Sequence, residues 1–553
     1  MESKSHQIDY HRRSKYIGRM TEAEQMADGA GSNLDKVWRI LGPFGKYTVV
    51  NYAFLLFPCY LAGIYGSVFN FEAMDINYRC AIPECENENS TWVEYAIPKQ
   101  NNKFDKCRRY DYSNESNTCD QLSFNRSSIF KCKEYIYSRE DSVVKDFNLG
   151  CQDWKRTLIG TAQYSGFLIA LPLTGVLSDK YGRVKPMAVA SAMYAVFGTI
   201  RSFSTSYEML IVFEFLETAT GAATYSTAFV FGMELVRPDG RVFGNTLLNF
   251  AFILGSMSLS LLAWALQNWR LMLRIVYPPA FLVLSYLFIL NESPRWLLSK
   301  GRCEEALSIL KKAEKMNKVK IPEHLLSSLK ATAKYDESSI DEIKFGTVFT
   351  KVLKSRTMLL RLVLCCYLWI TCSFTYYGLS INSVSLAGNK YLNYTFVAFI
   401  EIPANIFCYV VLTKYGRKRV LVTMYALGGI FCIGLALIAR DSLWSLFIYL
   451  AGKFAITVAY STVYVTASEI FPTNARQSLL AICSTSGRAG ATMAPLSPLL
   501  ARYNDNLPTI IFGSLALLAS LLSLTIPKTD HVSLPDSVKE AKKIAQIKKI
   551  SKL

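Results

Sequence analysis

Two charged residues of opposite sign lie inside apolar stretches of the second half of the chain. Arg488 stands in the run STSGRAGAT, and Glu401 stands in FIEIP. A charge inside an apolar stretch is costly to bury, so such a residue usually marks a binding site or an ion path. The guanidinium of Arg488 can hold a carboxylate through two parallel hydrogen bonds, unless it is the structural partner of an acid on a facing helix. Glu401 can attract an ammonium group, bind a coupling cation or pair with Arg488.

Aromatic residues accompany these charges at helical spacing. Trp369 and Tyr376 lie two helical turns apart, on one helix face, and Tyr377 lies beside them. Aromatic faces attract alkylammonium groups by cation–π interaction. Tyr and Trp are also common in helix packing and in interfacial belts, so the spacing alone leaves both interpretations open.

Paired charges and tight-turn glycines form a second pattern that occurs in both halves of the chain. The set comprises Asp179, Gly182, Arg183, Glu234, Arg241, Glu292, Arg295, Gly416, Arg417, Glu469 and Arg476. Glycine allows a tight turn between helices, and acid–arginine pairs across helix ends can form and break. We interpret the set as a conformational latch at one face of the protein. The alternative is an ordinary positively charged hairpin.

Composition identifies a membrane protein. The 553 residues are 51% hydrophobic, which excludes disorder, collagen and coiled coil. The formal charge of +18 does not indicate nucleic-acid binding, because Lys and Arg lie mainly at the edges of apolar runs. All histidines lie outside those runs, and the sequence has no metal-ligand spacing, Walker loop or nucleophile–base pair. We therefore expect no metal, no cofactor and no enzymatic activity.

Twelve apolar stretches of about 20 residues are long enough to cross a bilayer as helices. The predicted spans are 47–70, 157–177, 186–203, 208–234, 243–266 and 270–290, then 358–380, 392–413, 420–438, 443–467, 477–500 and 508–527. The predicted segments are an N-terminal segment 1–46, a first half 47–290, a linker with short helices 291–357, a second half 358–527 and a basic tail 528–553.

The charges predict the topology of these spans. Lys and Arg concentrate in the linker, in the tail and in short loops that share one side, and cytoplasmic loops carry such an excess. This places the latch and both termini in the cytoplasm. The loop 71–156 is then extracellular and contains an even set of cysteines, Cys80, Cys85, Cys107, Cys119, Cys132 and Cys151. Three disulfides in undetermined pairing are expected there, with glycosylation at Asn89, Asn114 and Asn125.

The two halves repeat each other. The Tyr-Gly-Arg turn after the second span returns after the eighth, and the separation between these turns nearly equals that between Glu234 and Glu469. Matched motifs at matched positions indicate two parallel six-helix repeats, which are related by an axis along the membrane normal.

The chain resembles the major facilitator superfamily and, within it, the organic cation, anion and zwitterion transporter family of solute carriers. The motifs are the cysteine-rich first loop, LSDKYGR, ESPRWLLSKGR and GKFAITVAYSTVYVTASEIFPTNAR. The resemblance implies an all-α membrane protein of the major facilitator fold, with 12 helices in two halves that rock about a central site. One departure is the pair Glu214 and Glu217, since many members have an arginine near this position. Rearranged charge pairing is expected there.

The resemblance also implies roles for single residues. Cation carriers of this family tend to have aspartate at the position of Arg488, whereas anion and carnitine-type carriers have arginine. An acid before a proline in the eighth span implies that Glu401 faces the cavity. Tyr225 in the fourth span and Ser461 in the tenth resemble the carnitine-carrier branch.

We therefore predict a secondary active transporter of small organic zwitterions, carnitine-like or amino-acid derivatives, in the plasma membrane. The predicted substrate-binding residues are Arg488, Glu401, Trp369, Tyr376, Tyr377, Tyr225 and Ser461. The alternatives are an organic anion exchanger, in which Arg488 acts alone and Glu401 is structural, and a polyspecific organic cation transporter. A receptor or scaffold is more remote.

The expected partners are a small organic ion and the lipid bilayer, without nucleic acid, and we expect a monomer. The coupling ion is left open. Sodium symport, proton coupling and exchange each need only carboxylates and carbonyls, which Glu401, Glu214 or Glu217 could supply.

Overall fold

A computed structural model describes residues 34–42, 44–86, 92–100, 103–112, 119–138, 141–237, 240–336, 354–438, 442–472 and 476–527. The predicted tail 528–553, most of the predicted segment 1–46 and part of the linker lie outside the described residues. The predicted glycosylation sites Asn89 and Asn114 also lie outside them.

The described residues contain twelve bundle helices, six in each half. Those of the first half are α1 (Lys46–Tyr65), α2 (Asp153–Tyr181), α3 (Val184–Arg201), α4 (Tyr207–Gly221, continued as Ala223–Glu234), α5 (Arg241–Leu266) and α6 (Trp269–Val276, continued as Pro278–Ser285 and Tyr286–Ile289). Those of the second half are α7 (Arg356–Asn382), α8 (Lys390–Phe399, continued as Glu401–Tyr415), α9 (Arg417–Gly434), α10 (Leu443–Ile470), α11 (Arg476–Met493) and α12 (Leu507–Ser523).

Short helices join or extend these elements. They are Phe69–Glu72, Val93–Ala96, Val143–Asp146, Pro294–Ser299, Cys303–Asn317, Glu323–Asp336 and Ser497–Leu500. Seven stretches are long and apolar enough to cross a membrane: Lys46–Glu72, Phe243–Leu266, Trp269–Ile289, Arg356–Ser385, Lys390–Leu412, Arg417–Leu437 and Trp444–Ile470. The other bundle helices are shorter, as α12 is, or carry more polar residues, as α2 and α11 do. They pack against the apolar helices in the same bundle.

Small residues permit close packing where α1 crosses α5. A Cβ atom at Gly63 would collide with the backbone of Phe252, and one at Gly255 would collide with the backbone of Tyr60. Because neither position has room for a side chain, the two helix backbones approach each other directly, as small residues allow in membrane helices.

The predicted extracellular loop forms three two-stranded antiparallel sheets. The strands are β1 (Tyr78–Cys80) with β6 (Tyr135–Tyr137), β2 (Lys99–Gln100) with β3 (Lys103–Phe104), and β4 (Arg108–Tyr112) with β5 (Phe124–Lys131). Three disulfides connect them, namely Cys80–Cys132, Cys85–Cys119 and Cys107–Cys151. The third predicted glycosylation site, Asn125, is exposed on β5.

The two halves contact each other at the end of the bundle that carries this loop, which we name the loop face. The hydroxyl of Tyr394 on α8 donates to Ser67 Oγ beside α1 over 2.7 Å. Arg502 Nε lies 3.2 Å from Asp153 Oδ2 at the start of α2. Contacts of α2 with the chain just after α11 lie at the same end. The halves are therefore joined at the loop face.

Candidate functional site

Arg488 is half-buried on α11, which packs against α7 of its own half and α2 of the other half. Its Nη1 donates to the hydroxyl of Tyr377 over 3.5 Å. The phenols of Tyr460 and Tyr464 are further electrostatic neighbours. Arg488 forms no ion pair with a carboxylate of the described residues. The guanidinium therefore has no fixed acidic partner there and retains donors for an incoming carboxylate.

Helices α7 and α10 place five aromatic side chains around Arg488, which we name the aromatic cluster: Trp369, Tyr376, Tyr377, Tyr460 and Tyr464. The rings of Tyr376 and Tyr460 stack with 5.2 Å between their centroids, and Trp369 lies 4.0 Å from Tyr464. A guanidinium and several π faces in one place suit a molecule that carries both a carboxylate and an alkylammonium group. Tyr460 and Tyr464 are absent from the predicted set, although Tyr460 directly precedes Ser461 and Tyr464 lies one turn later on α10.

Glu401 does not pair with Arg488 but with a lysine. Its Oε1 lies 3.0 Å from Nζ of Lys453 on α10, whose side chain is fully buried. Lys453 is also absent from the predicted set of site residues, although it stands inside the motif GKFAITVAY. The same rule that selects Arg488, a charge within an apolar span, would have found it.

The two residues taken from the carnitine-carrier resemblance lie near the aromatic cluster. The hydroxyl of Tyr225 on α4 donates to Asn249 Oδ1 over 3.2 Å, and Tyr225 is an electrostatic neighbour of Arg488. Ser461 follows Tyr460, but its Oγ points to α8 and donates to Asn405 Oδ1 over 3.3 Å. The first half thus reaches the site through Tyr225 and through Tyr164 on α2, whose ring centroid lies 5.0 Å from that of Tyr377. Ser461 contacts α8 instead.

Several predicted latch residues meet at the turn between α2 and α3. Arg183 Nη2 lies 2.8 Å from Glu234 Oε1, and its Nη1 lies 2.8 Å from Asp179 Oδ1. The carboxylate of Glu292 accepts the backbone N–H of Arg183 over 2.8 Å. Gly182 takes a φ of +97° at this turn. The end opposite the loop face, which carries these residues, is named the motif face.

The second half repeats part of this arrangement. Arg417 Nε lies 2.9 Å from Glu469 Oε1, and Gly416 takes a φ of +79°. Arg476 instead donates from Nε to the carbonyl of Phe471 over 3.4 Å. Both halves therefore share a glycine with positive φ followed by an arginine that pairs with a glutamate.

The remaining latch residues have other surroundings. Arg295 pairs with Asp35 near the N-terminus, with 2.5 Å between Nη2 and Oδ1. Arg241 Nε is buried without a hydrogen-bond partner among the described residues. The ion pairs of Arg183 and Arg417 each lie within one half, so they fix helix ends rather than join the halves. Opening and closing of this network stays a prediction.

Substitution of Gly182 by alanine is expected to lower the free energy of unfolding by about 1–3 kcal/mol, because only glycine readily takes this backbone conformation. The new Cβ would also collide with Glu292 Oε2. Thermal melting of the purified protein measures the loss. Gly175→Ala is the matched control, since a Cβ there meets nothing within 4 Å and alanine favours the helix. Equal melting of both variants would contradict the prediction.

The rearranged charge pairing expected around Glu214 and Glu217 is present, and its positive partner is Arg201 on α3. Arg201 Nη1 lies 2.7 Å from Glu217 Oε2 and also contacts Glu214, while Nη2 lies 3.1 Å from Glu72 Oε2. Tyr277 on α6 donates to Glu217 Oε1 over 2.6 Å. All four charged side chains are fully buried. Arg201 thus holds α3, α4 and the short helix Phe69–Glu72 together.

Comparison with known proteins matches the chain to transporters along most of its length. The sequence model of the family described as "Sugar (and other) transporter" matches residues 102–534. "Solute carrier family 22 member 21" of Mus musculus is 30% identical over 534 residues, covering 93% of this chain and 94% of the relative. "Organic cation/carnitine transporter 2" of Homo sapiens is 28% identical over 541 residues, covering 93% and 95%.

Solved structures match the same fold. The inward-open xylose transporter XylE from E. coli aligns with a TM-score of 0.59 at 15% identity, covering 90% of this chain and 99% of that chain. The alignment therefore includes the helices of both halves. At this identity it shows a shared fold.

Proposed function

Because the chain belongs to the sugar (and other) transporter family, we propose that it carries small organic zwitterions, of the carnitine or amino-acid-derivative kind, across the plasma membrane by alternating access. The chain is a multi-pass membrane transporter of the major facilitator fold and not an enzyme. The human relative is named as a carnitine transporter, and carnitine has a carboxylate and a quaternary ammonium group.

The observation that carries the proposal is a guanidinium that has no acidic partner in the described part of the chain and lies beside a group of π faces. In this assignment Arg488 binds the substrate carboxylate through charge-assisted hydrogen bonds. The rings of Tyr460, Tyr464 and Trp369 receive the alkylammonium group. A molecule with only one of these charges would use half of the site.

A second candidate is an organic anion, and the contact between Lys453 and Glu401 favours it. A carboxylate that is already paired at 3.0 Å has little attraction left for a second cation. Arg488 would then act alone on an anionic substrate, with Glu401 in a structural role. A simple organic cation fits least well, because Arg488 would repel it.

Transport in this proposal follows from rocking of the two halves about the site. The loop face, joined through Tyr394 and Ser67, corresponds to a state that is closed on the extracellular side. The motif face and both termini would lie in the cytoplasm, and the latch pairs would rearrange as the motif face closes. Sodium or a proton is the proposed coupling ion.

Uptake of three related compounds tests the proposal. Cells or vesicles that contain the protein should accumulate labelled carnitine more strongly than its decarboxylated analogue or its deaminated analogue, because only carnitine engages both Arg488 and the aromatic cluster. Equal uptake of the deaminated analogue would select the organic anion function. Preference for the decarboxylated analogue, or no uptake at all, would contradict the proposal. Repeating the assay without sodium tests the coupling ion.

A further inference from the structure

Lys453 occupies the position that an alkylammonium group would take beside Glu401. Its Nζ lies 3.0 Å from Glu401 Oε1, 3.2 Å from the carbonyl of Tyr376 and 2.8 Å from Ser380 Oγ. These three acceptors match the three hydrogens of an ammonium group. Nζ also lies 3.3 Å from the centre of the Tyr376 ring. The chain thus fills a complete cation site with its own side chain.

The position of this site links it to the aromatic cluster. Tyr376 belongs to both, since its ring faces Lys453 and also stacks on Tyr460. The Lys453 side chain is fully buried, whereas Glu401 keeps 12% of its side chain exposed. A substrate ammonium group can therefore reach Glu401 only by displacing Lys453, or it must remain on the aromatic faces.

The pairing of Lys453 with Glu401 determines the net charge that a substrate meets at the site. Lys453 neutralises Glu401, so among the described residues Arg488 is the charge that stays unpaired beside the aromatic cluster, and it is positive. Moving Lys453 away would leave a buried charge without a partner, which is strongly unfavourable. The intact site thus disfavours cations that lack a carboxylate and still accepts a carboxylate at Arg488.

We propose that Lys453 is a built-in occupant of an ammonium site formed by Glu401, Tyr376 and Ser380, and that it excludes simple organic cations. Lys453 is therefore a specificity-determining residue of the proposed transporter. The inference rests on the proposed function only for the identity of the carboxylated substrate. The ammonium site itself can be tested without transport.

Substitution of Lys453 by alanine should open the site to a primary alkylammonium ion. Alanine removes both the charge and the chain that carries it, so Glu401, the Tyr376 carbonyl and Ser380 become available to the N–H groups of ethylammonium. Uptake of ethylammonium relative to carnitine should rise by on the order of tenfold or more, the scale of one charge-assisted hydrogen bond. Lys453→Arg should keep the low ratio. Lys312→Ala, on an exposed helix of the linker, is the matched control.

Binding to the purified protein separates this inference from the proposed function. Ethylammonium should raise the melting temperature of Lys453→Ala and leave that of the unchanged protein where it is, whether or not carnitine is a substrate. Glu401→Gln provides a second variant, in which the unpaired Lys453 should raise uptake of the deaminated, anionic analogue relative to carnitine. The inference is overturned if Lys453→Ala neither binds nor transports ethylammonium, or if Glu401→Gln leaves the anion ratio unchanged.

Discussion

Replacement of Arg488 by alanine should reduce carnitine uptake to background, a loss of about a hundredfold or more, while the protein still reaches the cell surface. Two charge-assisted hydrogen bonds to a carboxylate are removed, and each contributes roughly 1.5–3 kcal/mol. The fold should tolerate the change, because Arg488 has only a 3.5 Å contact with the Tyr377 hydroxyl and no ion pair among the described residues. Labelled uptake together with surface biotinylation measures both quantities.

Two further variants make this result specific. Arg488→Lys keeps the charge but loses the planar fork, so it should retain a fraction of the uptake. Arg302→Ala removes an exposed arginine whose partner is Glu305, and it should transport normally, since exposed pairs contribute little. If Arg488→Ala carries carnitine normally, the carboxylate assignment is wrong.

Replacement of Arg201 by methionine should have the largest effect on stability, about 3–5 kcal/mol of unfolding free energy. The change leaves Glu72, Glu214 and Glu217 buried without their positive partner. We expect little protein at the cell surface and a much lower melting temperature after purification. No other donor among the described residues is in place to compensate for the loss of Arg201. Glu72 Oε1 and Glu214 Oε1 already have no hydrogen-bond partner there.

Removing the acids together with the arginine provides the control for Arg201. A variant with Arg201→Met, Glu214→Gln and Glu217→Gln should recover part of the lost stability, because fewer charges remain buried. Arg302→Met should melt like the unchanged protein. A melting temperature for Arg201→Met equal to that of the unchanged protein would show that the buried carboxylates do not depend on Arg201.

The helical bundle could be predicted because its signals are long and repeated. Apolar stretches of spanning length and the recurrence of the turn at Gly182 and Gly416 specify two six-helix halves without knowledge of contacts. The even number of cysteines in the loop predicts disulfides. Which cysteines pair depends on which strands lie side by side. Cys80 and Cys132 meet because β1 and β6 form one sheet, and that pairing depends on distant chain segments.

The site could be predicted only in part, because sequence gives the face of a helix but not its neighbour. Arg488 stood out as a lone charge in an apolar run, but the partner of Glu401 depends on how α8 packs against α10. Lys453 is missing from the predicted site, because it lies inside the motif GKFAITVAY, which is typical of the family as a whole. Arg201 lies near the end of the third predicted span, where a flanking arginine is ordinary, and its burial became evident only with α1 and α4 in place.

A structure of the transporter with carnitine bound tests the carboxylate assignment most directly. The quantity to measure is the distance from the carnitine carboxylate oxygens to the guanidinium nitrogens of Arg488. We predict about 2.7–2.9 Å, with the trimethylammonium group against the rings of Tyr460 and Tyr464. Carnitine bound with its carboxylate on any other group, or with its ammonium group nearest Arg488, would contradict the assignment.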